Sequence, residues 1–212
     1  MLGSGRDSVD EDRWVLLDVE TTGLDPRHED LLCVAALAMH RQQSHWQLVL
    51  ADRFECVIRP RVVRAREDNV LLHRMGWGVQ AKGAEPAPAL QALVQWIGAS
   101  PVWAFHADFD RAFVQQALRR QHLQPPAWMW LDLADILPLA FPECPAHSLD
   151  EWFSAMKVSC LQRHQAAADV WATAQLWLMM AARIESAGPM RLGHWRRKVQ
   201  QGRWLHRLRG LQ

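Results

Sequence analysis

Residues 14–23 read Trp-Val-Leu-Leu-Asp-Val-Glu-Thr-Thr-Gly and carry the clearest structural pattern in the chain. A short apolar run that ends in acidic residues is typical of a buried strand, and Thr-Thr-Gly predicts a turn after it. Because side chains two positions apart in a strand point to the same face, Asp18 and Glu20 can reach one hard cation together. Taken alone, the pair is explained slightly better by two carboxylates that face solvent at a strand end.

Periodicity along the rest of the chain predicts alternating strands and helices. Two apolar runs directly after the first predict neighbouring strands, residues 60–88 predict an irregular segment, and later runs predict two short strands among helices. The predicted strands are 14–19, 31–39, 46–58, 101–105 and 128–131, and the predicted helices are 89–97, 110–122, one that begins at Ser148, and 165–183. This order predicts an α/β fold with a mixed five-stranded sheet flanked by helices. Ligand sites in such sheets lie at the carboxyl ends of strands.

Composition excludes several classes of protein. Half of the 212 residues are hydrophobic and 22% are charged, which argues against a disordered chain. No run reaches the roughly 18–20 apolar residues of a membrane span, and the polar, acidic start does not resemble a signal peptide. The four cysteines form no Cys-x-x-Cys pair, so we expect free thiols and a cytoplasmic location. These cysteines are Cys33, Cys56, Cys144 and Cys160.

The net charge of +1 conceals an uneven distribution of charge. No acidic residue follows Glu185, whereas seven basic residues do, so residues 1–185 carry a net charge of −6, with 17 basic against 23 acidic side chains. We predict an acidic N-terminal extension (1–12), a main domain (13–187) and a basic amphipathic C-terminal tail (188–212). An acidic body can hold divalent metals and a basic tail can meet phosphates. A solvated amphipathic helix explains the tail equally well.

Two more acidic elements follow the first strand. Residues 105–110 read Phe-His-Ala-Asp-Phe-Asp, which places Asp108 and Asp110 at the start of a helix. Residues 164–169 read His-Gln-Ala-Ala-Ala-Asp, which places Asp169 in the first turn of a buried helix just after His164. Each element alone has an ordinary structural explanation, namely a helix N-cap or a carboxylate that complements the helix dipole.

Together the three elements resemble the DEDD superfamily of 3′-to-5′ exonucleases, in its histidine subclass. That family includes the proofreading subunit of bacterial DNA polymerase III, ribonuclease T and oligoribonuclease. The resemblance extends over residues 13–184, and Trp-Leu-Asp at 130–132 and Ser-Leu-Asp at 148–150 are similar to further landmarks of the family. The resemblance implies a ribonuclease H-like fold.

The resemblance also implies roles for individual residues. Asp18, Glu20, Asp110 and Asp169 would hold two Mg²⁺ or Mn²⁺ ions, and two such ions can activate a water and stabilise the attacking and leaving oxygens. His164 would be the general base, since an imidazole titrates near neutral pH. Residues that would contact the terminal nucleotide are Thr21, Thr22, Gly23 and His73. The chain departs from the family at Phe105-His106, where His-Asn is usual, and at Arg74-Met75, where Gly-Ile is usual.

The function that follows is a metal-dependent 3′–5′ exonuclease. It would hydrolyse phosphodiester bonds of nucleic acid with a free 3′ end, with single-stranded DNA as the preferred substrate, and release nucleoside monophosphates. An RNA-trimming exoribonuclease of the same family is the first alternative. A catalytically silent nucleic-acid-binding module is the second, and an α/β adaptor that works through its basic tail is the third. None of these functions predicts a membrane partner.

Aromatic residues add one candidate contact with nucleic acid. The chain has 12 tryptophans and no tyrosine, and most of the tryptophans fall in predicted strands or helices, where large rings are usually buried. Trp77 lies in the irregular segment and is the best candidate for stacking on a base. Trp195 and Trp204 alternate with the arginines of the tail. The tail could bind nucleic acid, dock a DNA polymerase or another protein, or pack back on the acidic body.

Overall fold

Five strands form one mixed sheet in the order β3-β2-β1-β4-β5. A computed structural model describes residues 9–62 and 77–209 of the chain. β1 pairs antiparallel with β2 and parallel with β4, β2 pairs antiparallel with β3, and β4 pairs parallel with β5. The strands are β1 (Arg13–Thr21), β2 (Leu31–Gln42), β3 (His45–Val57), β4 (Val102–Ala104) and β5 (Trp130–Asp132). The expected mixed five-stranded sheet is therefore confirmed.

Helices cover both faces of this sheet. Trp14 and Leu16 of β1 belong to one hydrophobic core, and Val15, Leu17 and Val19 belong to the other, as the alternation of side chains in a strand requires. The helices are α1 (Trp77–Ala81), α2 (Pro86–Ile97), α3 (Ala107–Arg120), α4 (Leu133–Ala140), α5 (Leu149–Met156), α6 (Ala166–Ile184) and α7 (Leu192–Arg209). The first core receives α4 to α7, and the second receives α2 and α3. In the part of the chain that the structure describes, no helix has the length and apolar character of a membrane span.

The centre of the first core is a cluster of tryptophans. Trp14, Trp103, Trp177 and Trp195 are all fully buried, and the ring of Trp14 lies 5.7–5.9 Å from the rings of the other three. Trp195 comes from the basic tail, so the apolar side of α7 is part of the domain core. Large aromatic rings contribute much of the apolar area that such a core removes from water.

Close backbone contact fixes the second half of α7. A Cβ placed on Gly202 would lie 1.8 Å from the carbonyl oxygen of Asp135, so only glycine allows α7 to approach α4 this closely. Arg203 strengthens the contact, since its Nε donates a hydrogen bond of 2.8 Å to Oδ2 of Asp135. The tail therefore packs back on the acidic body along one of its sides.

Two local expectations differ from the structure. Residues 133–140 form α4, although no helix was expected there. The helix was missed because Pro138 interrupts the helical spacing of apolar residues. Its N-cap and its packing stabilise it instead of a long amphipathic pattern. The segment 60–88, expected to be irregular, contains α1 and the start of α2 among its described residues. By contrast, the capping box of Ser148 and Glu151 is present at the start of α5.

Candidate active site

Three carboxylates meet at the carboxyl end of β1. Asp18, Glu20 and Asp169 each offer an oxygen, and these atoms all lie within 4.8 Å of one another. Asp18 and Glu20 alternate with Val19 on β1 and share the sheet face of Leu16, against which α6 packs. The first turn of α6 brings Asp169 to this face. The structure thus brings together two of the sequence elements that were expected to form a site.

Asp110 reaches the same group from the opposite side of the sheet. It is buried in the first turn of α3, and its charge acts on Asp18. Burial raises the pKa of Asp110 well above its usual range, the charges of Asp132 and Glu20 add to this, and backbone amides, including that of Val19, oppose it. Asp110 lies outside the tight group of three, but it belongs to the same electrostatic site.

The site is short of positive charge. Burial raises the pKa of Asp18 well above the usual aspartate range, and the charges of Asp110, Glu20 and Asp169 raise it further, whereas Arg163 lowers it. Converging carboxylates cost free energy unless a cation compensates them. An all-oxygen set of donors suits a hard divalent cation such as Mg²⁺ or Mn²⁺. The residues present therefore fit a divalent metal ion.

Asp169 is held by several groups besides its neighbours on α6. The backbone amide of His164 donates to its Oδ2 over 2.9 Å, and the thiol of Cys160 donates to its Oδ1 over 3.2 Å. Arg163 pairs with Asp169 and with Asp150 through its guanidinium group. These contacts orient the Asp169 carboxylate toward β1. Arg163 directly precedes His164 in the sequence, but no sequence pattern predicted that Arg163 would form these two ion pairs.

His164 stands at the edge of the carboxylate group. It has a left-handed backbone conformation, with φ of 61°, and it is exposed. Its amide donates to Asp169, and the residue is accessible to solvent. An exposed imidazole beside a buried carboxylate group can accept a proton from a water molecule there.

Asp132 is a structural residue of the site whose role the sequence did not indicate. Its carboxylate accepts hydrogen bonds from the amides of His106 (3.0 Å) and Ala107 (3.1 Å), and also from the amide of Ala134 (2.9 Å). It therefore caps α4 and also satisfies amides at the start of α3. Asp108 and Asp110 were weighed as N-caps of that helix, yet no side-chain cap bond forms at His106, the N-cap position. Asp132 supplies the acceptor from the neighbouring strand instead.

The Thr-Thr-Gly turn is a tightly bonded loop. The hydroxyl of Thr21 donates to the carbonyl of Gly23 over 2.7 Å, and that of Thr22 donates to Glu29 over 2.5 Å. Arg120 of α3 anchors the far side of this loop through the carbonyl oxygens of Pro26, Arg27 and Glu29 and through the carboxylate of Asp30. Both threonine hydroxyls therefore serve the loop itself. His73 lies outside the described residues.

The tryptophan that was proposed to stack on a base is exposed. Trp77 begins α1 and has 63% of its surface accessible, whereas most other tryptophans are buried or half-buried. Trp204 of α7 is the second exposed tryptophan among the described residues, at 60%. Stacking by Trp77 stays a prediction.

An α/β sheet with converging carboxylates at the end of its first strand defines the class of proteins with a candidate metal site at that position, and comparison with known proteins identifies the family. The model of the RNase_T family, described as an exonuclease, matches residues 15–177. This is more than half of the chain, so the chain belongs to the RNase_T exonuclease family.

Relatives and solved structures agree with this family. The PolC-type DNA polymerase III of Staphylococcus aureus is 25% identical over 175 residues, which cover 82% of this chain and 12% of the polymerase. The chain thus spans only a small part of the length of that relative.

Two solved structures share the fold at low sequence identity. Exonuclease I of E. coli, in complex with a dT13 oligonucleotide, superposes with a TM-score of 0.71 at 19% identity, covering 82% of this chain and 42% of that one. The nuclease domain of 3′hExo, a DEDDh family member bound to rAMP, has a TM-score of 0.69 at 13% identity, covering 80% and 92%. These likenesses confirm the ribonuclease H-like fold.

Proposed function

We propose that this chain is a metal-dependent 3′–5′ exonuclease that hydrolyses phosphodiester bonds and releases nucleoside monophosphates. The observation that carries the proposal is the meeting of Asp18, Glu20 and Asp169 within 4.8 Å, in a chain of an exonuclease family. A binding module would not need this costly group of buried carboxylates. The cluster therefore favours an enzyme over a silent module.

The proposed cofactor is two Mg²⁺ or Mn²⁺ ions. Asp18, Glu20 and Asp169 would hold one ion, and Asp18 with Asp110 would hold the second. The chemistry that such ions supply when bound is polarisation of the phosphate oxygens and a lower pKa for a nearby water. Asp132 supports this arrangement because it holds the start of α3, the helix that carries Asp110.

In the proposed reaction His164 accepts the proton of the attacking water. The water oxygen forms a bond to the terminal phosphorus, the bond between phosphorus and the 3′ oxygen breaks, and that oxygen leaves with a proton as the new 3′ hydroxyl. The exposure of His164, and the hydrogen bond that its amide donates to Asp169, support this role. Hydrolysis in this direction releases one nucleoside 5′-monophosphate at each step.

Thr21, Thr22, Gly23 and His73 are proposed to contact the terminal nucleotide. Because the hydroxyls of Thr21 and Thr22 already bond within the loop, we expect the backbone of this turn, rather than those hydroxyls, to face the nucleotide. The close approach that a glycine allows suits Gly23 to such a position.

Single-stranded DNA is the proposed substrate, and RNA is the alternative. Exonuclease I, which shares the fold, is bound to a dT13 oligonucleotide, whereas 3′hExo, which shares it equally, is bound to rAMP. The Thr-Thr-Gly sequence resembles the proofreading type and favours DNA. A protein partner such as a DNA polymerase and a cytoplasmic location both stay predictions, the latter resting on four free cysteines.

The deciding experiment uses 3′- and 5′-labelled single-stranded DNA and RNA with Mg²⁺, with Mn²⁺ and with a chelator. Asp18→Ala is compared with Glu143→Ala, which removes an exposed carboxylate outside the site. Stepwise shortening from the 3′ end that requires metal and Asp18, but not Glu143, is the expected result. If neither strand is shortened by pure protein under any of these conditions, the proposal is wrong.

A further inference from the structure

The two sides of α7 have different surroundings. Leu192, Trp195 and Val199 are buried in the domain core, and Gly202 packs against α4. The opposite side is exposed and basic. At 3.6 residues per turn its residues fall within an arc of about 100° of the helix. We call this the α7 basic face, and it consists of Arg196, Arg197, Gln200, Trp204 and Arg207, all exposed.

The arginines of this face are not used to hold the fold together. Arg203, at the margin of the face, pairs with Asp135, but Arg196, Arg197 and Arg207 form no ion pair with any described residue. No acidic residue follows Glu185 to compensate them within the tail. A row of unpaired arginines on a helix that packing holds in place can bind consecutive phosphates.

Trp204 gives the face a second kind of contact. Its ring is 60% exposed and lies on the same side of the helix as the three arginines. Basic side chains beside an exposed aromatic ring are the combination that binds single strands, because bases stack on the ring while phosphates meet the cations.

Contacts between α7 and α4 place the second half of α7 near the start of α3, the helix that carries Asp110. Arg203 donates a hydrogen bond to Asp135 of α4, and α4 begins directly after Asp132. The carboxylate of Asp132 accepts a hydrogen bond from the amide of His106 at the start of α3. A cavity of about 470 Å³ lies between α7 and this edge, and its lining includes His106, His147, Leu205 and His206. The second half of α7 therefore lies beside the sheet edge at which Asp110 enters the site.

We infer that the α7 basic face binds the single strand on the 5′ side of the terminus that is being cleaved. Phosphates lie on Arg196, Arg197 and Arg207, and one base stacks on Trp204. This inference rests on the proposed exonuclease function and extends it, since it assigns a strand-binding surface outside the catalytic group. A long strand reaches this face, whereas a dinucleotide in the active site does not.

The test compares two triple variants of the full chain that remove the same charge. One is Arg196→Gln/Arg197→Gln/Arg207→Gln, and the matched control replaces the exposed arginines Arg53, Arg119 and Arg183 by glutamine. Binding to a DNA strand of about 20 nucleotides, longer than the usual single-strand site of about 4–16 nucleotides, is measured by fluorescence anisotropy at several salt concentrations. Hydrolysis of a dinucleotide is measured in parallel.

The face variant should bind the long strand at least about tenfold more weakly than the control, since one phosphate contact is worth about fivefold at 0.1 M salt. The slope of log K against log salt should fall in magnitude by about 2, at about 0.7 for each lost contact. Trp204→Ala alone should weaken binding about fivefold or more with an unchanged slope. Dinucleotide hydrolysis should be unchanged in all of these variants.

Equal Kd values and equal salt slopes for the face variant and the control would overturn the inference. So would binding to anionic phospholipid vesicles that depends on these arginines while strand binding does not. Failure of the proposed exonuclease function would give a different result. The wild-type chain would then not hydrolyse the dinucleotide, but weaker strand binding by the face variant could still be measured. Trp204→Ala keeps the test valid if the triple variant does not fold.

Discussion

The backbone amide of His164 donates a hydrogen bond of 2.9 Å to Oδ2 of Asp169. The proposed base and a proposed metal ligand are therefore joined through the main chain of His164. This relationship separates the two roles, since the His164 side chain can be changed while its amide still orients Asp169.

Replacing His164 by asparagine should lower turnover about 10²–10⁴-fold, the usual contribution of a general base. Asparagine tolerates the left-handed conformation of this position, with φ of 61°, so the loop should keep its shape. Affinity for Mn²⁺, measured by calorimetric titration, should stay close to that of the wild type. His45→Asn, at the exposed first residue of β3, is the control. A rate near that of the wild type for His164→Asn would assign the base to another group.

Stability without metal should depend on pH through Asp18. Its pKa is raised in the folded protein by burial and by three neighbouring carboxylates. The folded state therefore holds this proton more tightly than the unfolded state, in which aspartate titrates near about 4. The free energy of unfolding then falls as the pH rises from the usual aspartate range through the raised pKa of the folded state.

Two thermal measurements check this prediction. In chelator at neutral pH, Asp18→Asn should melt at least about 2 °C above the wild type, since about 1 kcal/mol corresponds to about 2–4 °C for a chain of this size. Mn²⁺ should raise the melting temperature of the wild type but have little effect on the variant. Glu143→Gln, which changes an exposed carboxylate, should match the wild type throughout. If the variant melts below the wild type in chelator, repulsion between Asp18 and the neighbouring carboxylates does not destabilise the protein, and the prediction is wrong.

Asp132→Ala should destabilise the protein by about 1–3 kcal/mol. The change removes the acceptor for three backbone amides, at His106, Ala107 and Ala134, and thus uncaps α4 and loosens the start of α3. Urea unfolding measures the loss, and Mn²⁺ affinity should also weaken because α3 carries Asp110. Asp108→Ala, an exposed aspartate of α3, should stay within about 0.5 kcal/mol of the wild type. Equal effects of the two changes would contradict the capping role of Asp132.

Two glycines of α7 allow a matched test of how this helix packs. Gly202→Ala should lower stability by about 1–3 kcal/mol, because the added Cβ would lie 1.8 Å from the carbonyl oxygen of Asp135. Gly193→Ala on the exposed side meets nothing nearer than 4.0 Å, so it should stabilise by up to about 1 kcal/mol through helix propensity. Thermal unfolding of both variants measures the contrast. If the two melt alike, α7 is not held against α4 through Gly202.

Local pattern determined much of this protein. The alternation along β1 placed Asp18 and Glu20 on one face, and the structure has them there within reach of Asp169. The sequence of Ser148 and Glu151 specified a capping box, and the apolar run after Gln165 specified a buried helix; both are present. These features depend on residues only a few positions apart, whose geometry a strand or a helix imposes by its own period.

Other features depend on contacts between segments that are far apart in the sequence. Asp132 caps the start of a helix 25 residues earlier in the chain, and Asp110 reaches Asp18 from the other face of the sheet. The basic tail had three possible roles in the sequence, and the burial of Trp195 against Trp14 shows that one side of it packs on the body. No local pattern encodes these contacts, because each depends on how distant segments pack, and packing is chosen by the fit of the whole core rather than by the propensity of any one segment.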